Sequence, residues 1–134
     1  MTQTTAGVVE LRIPRRAEWV AVARLAVAAV ANRLRFSIEE IEDVKLAVAE
    51  ACTTCILQTD AGDQIEIYCE TKEDGLTVRV RSLAGADQPS PLPAEPEPDA
   101  RGALGIFLIQ SLMDSVKHNA GRGTDLVMTK KVSE

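Results

Sequence analysis

Glu50 and Thr54 stand four residues apart, which on a helix puts a carboxylate and a hydroxyl one turn from each other. A carboxylate so placed is either the raw material of general-base chemistry or a solvated edge residue. Spacing alone leans to the second. Cys52 and Cys55 have the C-x-x-C spacing, and Cys69 is the third thiol. The sole histidine is His118, so a four-ligand zinc site is poorly supplied. The C-T-T-C pair falls on an apolar helical stripe, and all three thiols read as small apolar core residues.

The element that must position Glu50 and Thr54 is a helix from Ser37 to Gln58. Ser37 followed by Glu40 is a capping box and marks its start. Ile41, Val44, Val48, Ala51, Cys52 and Cys55 form its apolar stripe, and Asp43, Ala47, Glu50 and Thr54 form a second one. Before it, Val8 to Ile13 alternates as a strand that Pro14 ends. Arg15 to Arg35 then reads as a helix with Trp19, Ala23, Ala26, Val27, Val30 and Leu34 on one face. Phe36 precedes the cap and is placed to staple the two helices.

Gln64 to Glu70 and Leu76 to Arg81 alternate as two strands joined by the turn Lys72-Glu73-Asp74-Gly75. Each has one apolar face and one charged face, with Glu66 and Glu70 on one strand and Arg79 and Arg81 on the other. Cross-strand ion pairs are expected there, and helices should cover one side of the sheet. Ala84 to Ala100 holds five of the six prolines plus Glu95, Glu97 and Asp99, the composition of an extended, mobile loop. A helix from Ala103 to about Met113 follows, with Leu104, Phe107, Leu108, Ser111 and Leu112 at helical spacing. Ser115 to Asn119 and Asp125 to Val132 fit two closing strands around Ala120-Gly121-Arg122-Gly123. The pattern is a two-layer α/β sandwich, with helices on one face of a largely antiparallel mixed sheet, in a single domain spanning 1–134.

The net charge of −5 argues against a nucleic-acid footprint. The longest apolar run, Trp19 to Ala31, is too short to span a bilayer and contains Arg24. No signal pattern opens the chain. A cytoplasmic protein is expected.

The segments "IEDVKLAVAEACT" and "GALGIFLIQSLMD" resemble the anti-sigma-factor serine/threonine kinases of the GHKL, or histidine-kinase-like ATPase, superfamily. The resemblance runs from Val9 to about Val132. It implies the Bergerat fold, ATP and Mg²⁺ as cofactors, and a homodimer. It also implies a sigma factor and a STAS-type anti-anti-sigma antagonist as partners. The loop 84–100 would be the lid over the nucleotide.

The family's central helix carries E-x-x-x-N, an acid that activates the attacking hydroxyl and an asparagine that helps hold Mg²⁺. Here the acid is Glu50, but the metal position is Thr54, whose hydroxyl is shorter; Mg²⁺ tolerates misplaced ligands badly. The family's D-x-G, which reads the adenine base, becomes Ser82 and Ala84. Its G-x-G phosphate cradle becomes Ala103-Leu104-Gly105, with Gly102 adjacent. Thr124 matches a family hydroxyl near the phosphates. Four ligand positions (Thr54, Ser82, Ala84 and Ala103) are therefore changed within intact scaffold segments.

Three readings follow. One is a regulator that sequesters a sigma factor or an antagonist with weak or lost ATP binding. The second is a working serine kinase with Glu50 as general base. The third is a dimeric interaction domain with a different partner. The four substitutions favour the first, Glu50 the second.

Overall fold

The computed structural model describes residues 7–57, 62–83, 100–118 and 124–133. The strands are β1 (Val8–Pro14), β2 (Gln64–Lys72), β3 (Gly75–Leu83), β4 (Ser115–His118) and β5 (Asp125–Lys131). The helices are α1 (Val20–Ala31), α2 (Ile38–Leu57) and α3 (Ala100–Leu112). The sheet order is β1-β2-β3-β5-β4, and every neighbouring pair is antiparallel. This is the expected two-layer α/β architecture, with the core between the sheet and the helices.

Alternation decides which face of each strand is buried. Ile65, Ile67 and Cys69 of β2 stand opposite Ser82, Val80 and Val78 of β3, and all are buried. Leu126 and Met128 of β5 extend the same face. The other face carries charge. Arg81 pairs with Glu66, its cross-strand partner, at 2.7 Å, and Arg79 grips Asp125 with two bonds of 2.9 and 2.7 Å. Arg12 lies 3.9 Å from Glu66 on the edge side. Gly75 closes the β2–β3 turn where β5 runs past. A Cβ there would sit 2.5 Å from the Lys130 carbonyl oxygen, so only glycine fits without a backbone shift.

The capping box forms as the spacing predicts. Ser37 N–H donates to Glu40 Oε1 at 2.8 Å and Glu40 N–H donates to Ser37 Oγ at 3.0 Å. The backbone bond from Ser37 leads the causes that hold the Glu40 carboxyl below its usual range. Phe36 is buried and Ile41 packs partly buried against the core, the arrangement of a staple. The predicted stripe from Val44 to Cys55 is buried, and so is Ala47, which spacing had set on the polar stripe.

Several boundaries differ from expectation. Pro14 is the last residue of β1 rather than its terminator, because an outer strand leaves one edge without a ladder. The first helix is shorter than Arg15 to Arg35. Arg16 is extended, a 3₁₀ turn covers Ala17–Trp19, and α1 begins only at Val20. Its far end tightens too, with Arg33 and Leu34 N–H donating to the carbonyls three residues back. Trp19, at the junction of the two windings, is exposed rather than on the buried face. Gln58, Asn119, the turn 120–123 and the loop 84–99 lie outside the described residues, while Ala100 already belongs to α3.

The inward face of α3 is not the expected one. Leu104 is 66% exposed, Phe107 is 67% exposed and Ser111 is exposed, while Gly105, Ile109 and Met113 turn inward. Gly105 faces α2, where an added Cβ would lie in ordinary contact, 3.4 Å from Glu50 Oε2 and 3.5 Å from Thr54 Oγ1. At its other end α3 is fastened by Lys130, whose Nζ donates to Leu112 O at 2.6 Å and sits 3.6 Å from Asp43 Oδ2 of α2.

Candidate nucleotide site

Two clusters collect most of the residues singled out in the sequence. The first lies between α2 and α3. Glu50, Thr53, Leu57, Leu104, Gly105 and Leu108 line a cleft of about 330 Å³. Glu50 is half-buried at its wall, with Thr54 one turn on. The Thr54 hydroxyl donates to the Glu50 carbonyl at 2.9 Å, a bond that fixes its rotamer against its own helix. Gly102 and Ala103 lie in the first turn of α3 and Leu104 on the cleft rim. Ala84 is outside the described residues.

The second cluster lies where β3 meets the start of β5. Thr124 N–H donates to Ser82 Oγ at 2.9 Å, and Ser82 N–H donates to Thr124 O at 2.9 Å. Both residues are buried. The Cys55 thiol of α2 hydrogen-bonds the Thr124 side chain, and burial pushes it up to about 12. The resemblance sets Thr124 near phosphates, and here it bonds to Ser82 and Cys55. The reciprocal bonds tie the start of β5 to β3 and occupy one acceptor site of the Ser82 hydroxyl.

The thiols behave as the sequence suggests. Burial pushes Cys52 to about 12 and Cys69 to about 11, so all three are thiols and not thiolates at neutral pH. Among the described residues no group of histidines, cysteines and carboxylates is placed to hold a metal ion. No described helix is long and apolar enough to cross a membrane.

A residue missed by sequence reasoning is Arg15. Its guanidinium donates to Ile56 O at 2.9 Å and reaches Cys55 O and Gly62 O, across the end of α2 that carries Thr54. A cation at the C-terminus of a helix satisfies orphan carbonyls and opposes the helix dipole. The sequence signal was an arginine directly after a strand, too common to stand out.

An open cleft beside a part-exposed carboxylate, between a central helix and a glycine-bearing third helix, defines a class. The chain belongs to the histidine kinase-like ATPase domain family, whose profile matches residues 13–130. Within it, the chain belongs with the anti-sigma-factor serine kinases. It is 33% identical to the serine-protein kinase RsbW of Bacillus cereus, with 92% of this chain and 84% of the relative covered. It is 35% identical to the RsbW of Halalkalibacterium halodurans, with 91% and 82% covered. For the RsbW of Oceanobacillus iheyensis the figures are 35% identity, 94% and 87%.

The family implies ATP and Mg²⁺. Among the described residues that the resemblance singles out, the buried Ser82 is bonded to Thr124 and the Thr54 hydroxyl is bonded to its own helix.

Proposed function

We propose that this chain is an anti-sigma-factor-like regulator of a bacterial partner-switching system. It holds a sigma factor, an STAS-type antagonist or both, as a cytoplasmic homodimer, and it binds ATP weakly or not at all. The observation that carries the reading is the Ser82–Thr124 pair, buried and mutually bonded at the position of the base-reading aspartate. Losing a charge-assisted hydrogen bond to the base costs roughly 1.5–3 kcal/mol, about ten- to a hundredfold in affinity. The Thr54 substitution adds to that loss. The net charge of −5 supports a protein partner over a nucleic acid.

Calorimetric titration with Mg·ATP and Mg·ADP tests this reading. No binding tighter than high micromolar is expected, and a low-micromolar dissociation constant would promote the second reading. That second reading is an active serine/threonine kinase phosphorylating the antagonist. Glu50 favours it, as a half-buried carboxylate on the wall of an open cleft.

A further inference from the structure

We infer that the cleft between α2 and α3 takes a small organic cation, an ammonium group on a short hydrocarbon body. The inference rests on the proposed function, in which nucleotide leaves this cleft largely free. It names the class of ligand that the cleft's own groups select.

The polar groups at the cleft offer lone pairs and no protons. As a carboxylate, Glu50 is an acceptor only. It is half-buried, and among the described residues no cation pairs with it. Thr53 spends its hydroxyl proton on Ala49 O at 2.9 Å, and the neighbouring Thr54 spends its own on Glu50 O at 2.9 Å. Each oxygen is left with acceptor capacity alone. Arg15, which reaches the end of α2, is committed to the carbonyls of Cys55, Ile56 and Gly62.

The backbone of the lining adds no donor. Glu50, Thr53 and Leu57 lie beyond the first turn of α2, and Leu104, Gly105 and Leu108 beyond the first turn of α3. Their N–H groups are used by the helix bonds. A phosphate or carboxylate held against these groups would meet lone pairs. An ammonium has three donors and no acceptor, the inverse of the lining.

The rest of the wall is hydrocarbon. Leu57 is 41% exposed and Leu104 66%, apolar area that the body of a ligand would take out of water. Leu108 closes the same wall. This selects an organic cation over a bare metal ion, because Mg²⁺ demands an octahedron of oxygens and leucines supply none. At about 330 Å³ the cleft stands at the small end of ligand pockets and suits a body of a few carbons. A part-exposed carboxylate is ordinarily a solvated edge residue. Its setting here, among acceptors without donors and against three leucines, separates a receptor from an edge.

The test is a titration of the ¹⁵N-labelled full chain with n-hexylammonium chloride at neutral pH without nucleotide, followed by amide shifts. The shifts should saturate at Glu50, Thr53, Leu57 and Gly105 with a dissociation constant on the order of 1 mM. n-Hexanol and n-hexanoate carry the same body, and both should bind at least about tenfold more weakly. Glu50→Gln keeps the shape and removes the charge. It should weaken hexylammonium roughly ten- to a hundredfold with an unchanged circular dichroism spectrum. Leu104→Ser, on the exposed wall, should weaken it several-fold, and methylammonium, which lacks the body, should bind far more weakly. Equimolar MgCl₂ should not displace the probe. Hexanol or hexanoate binding as tightly, an unchanged affinity in Glu50→Gln, displacement by Mg²⁺, or shifts that collect elsewhere would each overturn the inference. Failure of the proposed function reads separately. Low-micromolar Mg·ATP binding by calorimetry removes that reading, whereas the nucleotide-free titration alone decides whether the cleft takes the cation.

Discussion

Arg15 Nη1 donates to the carbonyl oxygen of Ile56 at 2.9 Å, joining the chain just after β1 to the C-terminal end of α2. The same guanidinium reaches Gly62 O, beyond the end of α2. Arg15→Ala should destabilise the fold by about 1.5–3 kcal/mol, the range for hydrogen bonds to a charged group. Arg15→Lys should recover part of it, since the charge stays and the fork geometry is lost. Urea denaturation of the three proteins checks both expectations.

The Ser82–Thr124 pair makes its own prediction. Ser82→Ala leaves the buried Thr124 N–H without its acceptor and should cost about 1–3 kcal/mol. On the proposed reading, Thr54→Asn alone should not restore Mg·ATP binding, because Ser82 and Ala103 are unchanged. Calorimetry on Thr54→Asn showing low-micromolar binding would place the defect at the metal alone.

Glu50→Gln separates the regulator from the kinase. If the chain only binds partners, the change should be near neutral for stability and for partner affinity, since this half-buried carboxylate borders an open cleft. If it is a kinase, label transfer from ATP to an antagonist should fall by roughly 10²–10⁴-fold with sigma binding untouched. Both proteins run side by side in one transfer assay give the answer. Transfer from neither is expected.

The buried thiols set an alkaline limit. Their folded pKa values of about 11 to 12 lie above those of an unfolded chain. A raised value means the unfolded state loses its protons first. This stabilisation is complete below the unfolded thiol pKa of about 8.5 and is lost as pH rises through the folded values. Unfolding free energy should therefore decline above about pH 9, and a disulfide reagent at pH 8 should label the native chain far more slowly than the unfolded one. Fast native labelling of Cys52 or Cys55 would contradict the burial. Glu40 works with the opposite sign: its lowered value makes a contribution that disappears as pH falls through it.

What was legible in the sequence was local or periodic. The capping box of Ser37 and Glu40 is a four-residue signal, and β2 and β3 show a clean period of two. These need no knowledge of the rest of the chain. The inward face of α3 was misjudged because hydrophobicity marked Leu104 and Phe107, while the residues that turn inward are Gly105 and Ile109, with Leu112 partly buried against the core. A stripe search rewards bulk and gives a buried glycine no weight. Arg15 was invisible for another reason. Its partners are backbone carbonyls far along the chain, and backbone groups have no letter in a sequence. In the candidate site, the substitutions at Thr54 and Ser82 could be read by resemblance. The mutual bonding of Ser82 and Thr124 required the register of β3 on β5.

Strand order also has a kinetic meaning. β2 and β3 meet across a two-residue turn, Lys72 opposite Gly75, whereas β1 joins β2 only by bringing Leu11 to Ile67 across both α1 and α2. Closing that loop costs more entropy than closing the hairpin, and nothing repays it until the helices have packed. The hairpin is therefore expected to belong to the folding nucleus, with β1 arriving late. Val78→Ala in β3 should slow refolding, while Ile13→Ala in β1 should leave refolding almost unchanged and speed unfolding. On that expectation the edge that completes the sheet is the last to be laid down, and until then β2 stands in its place as the open margin of the growing fold.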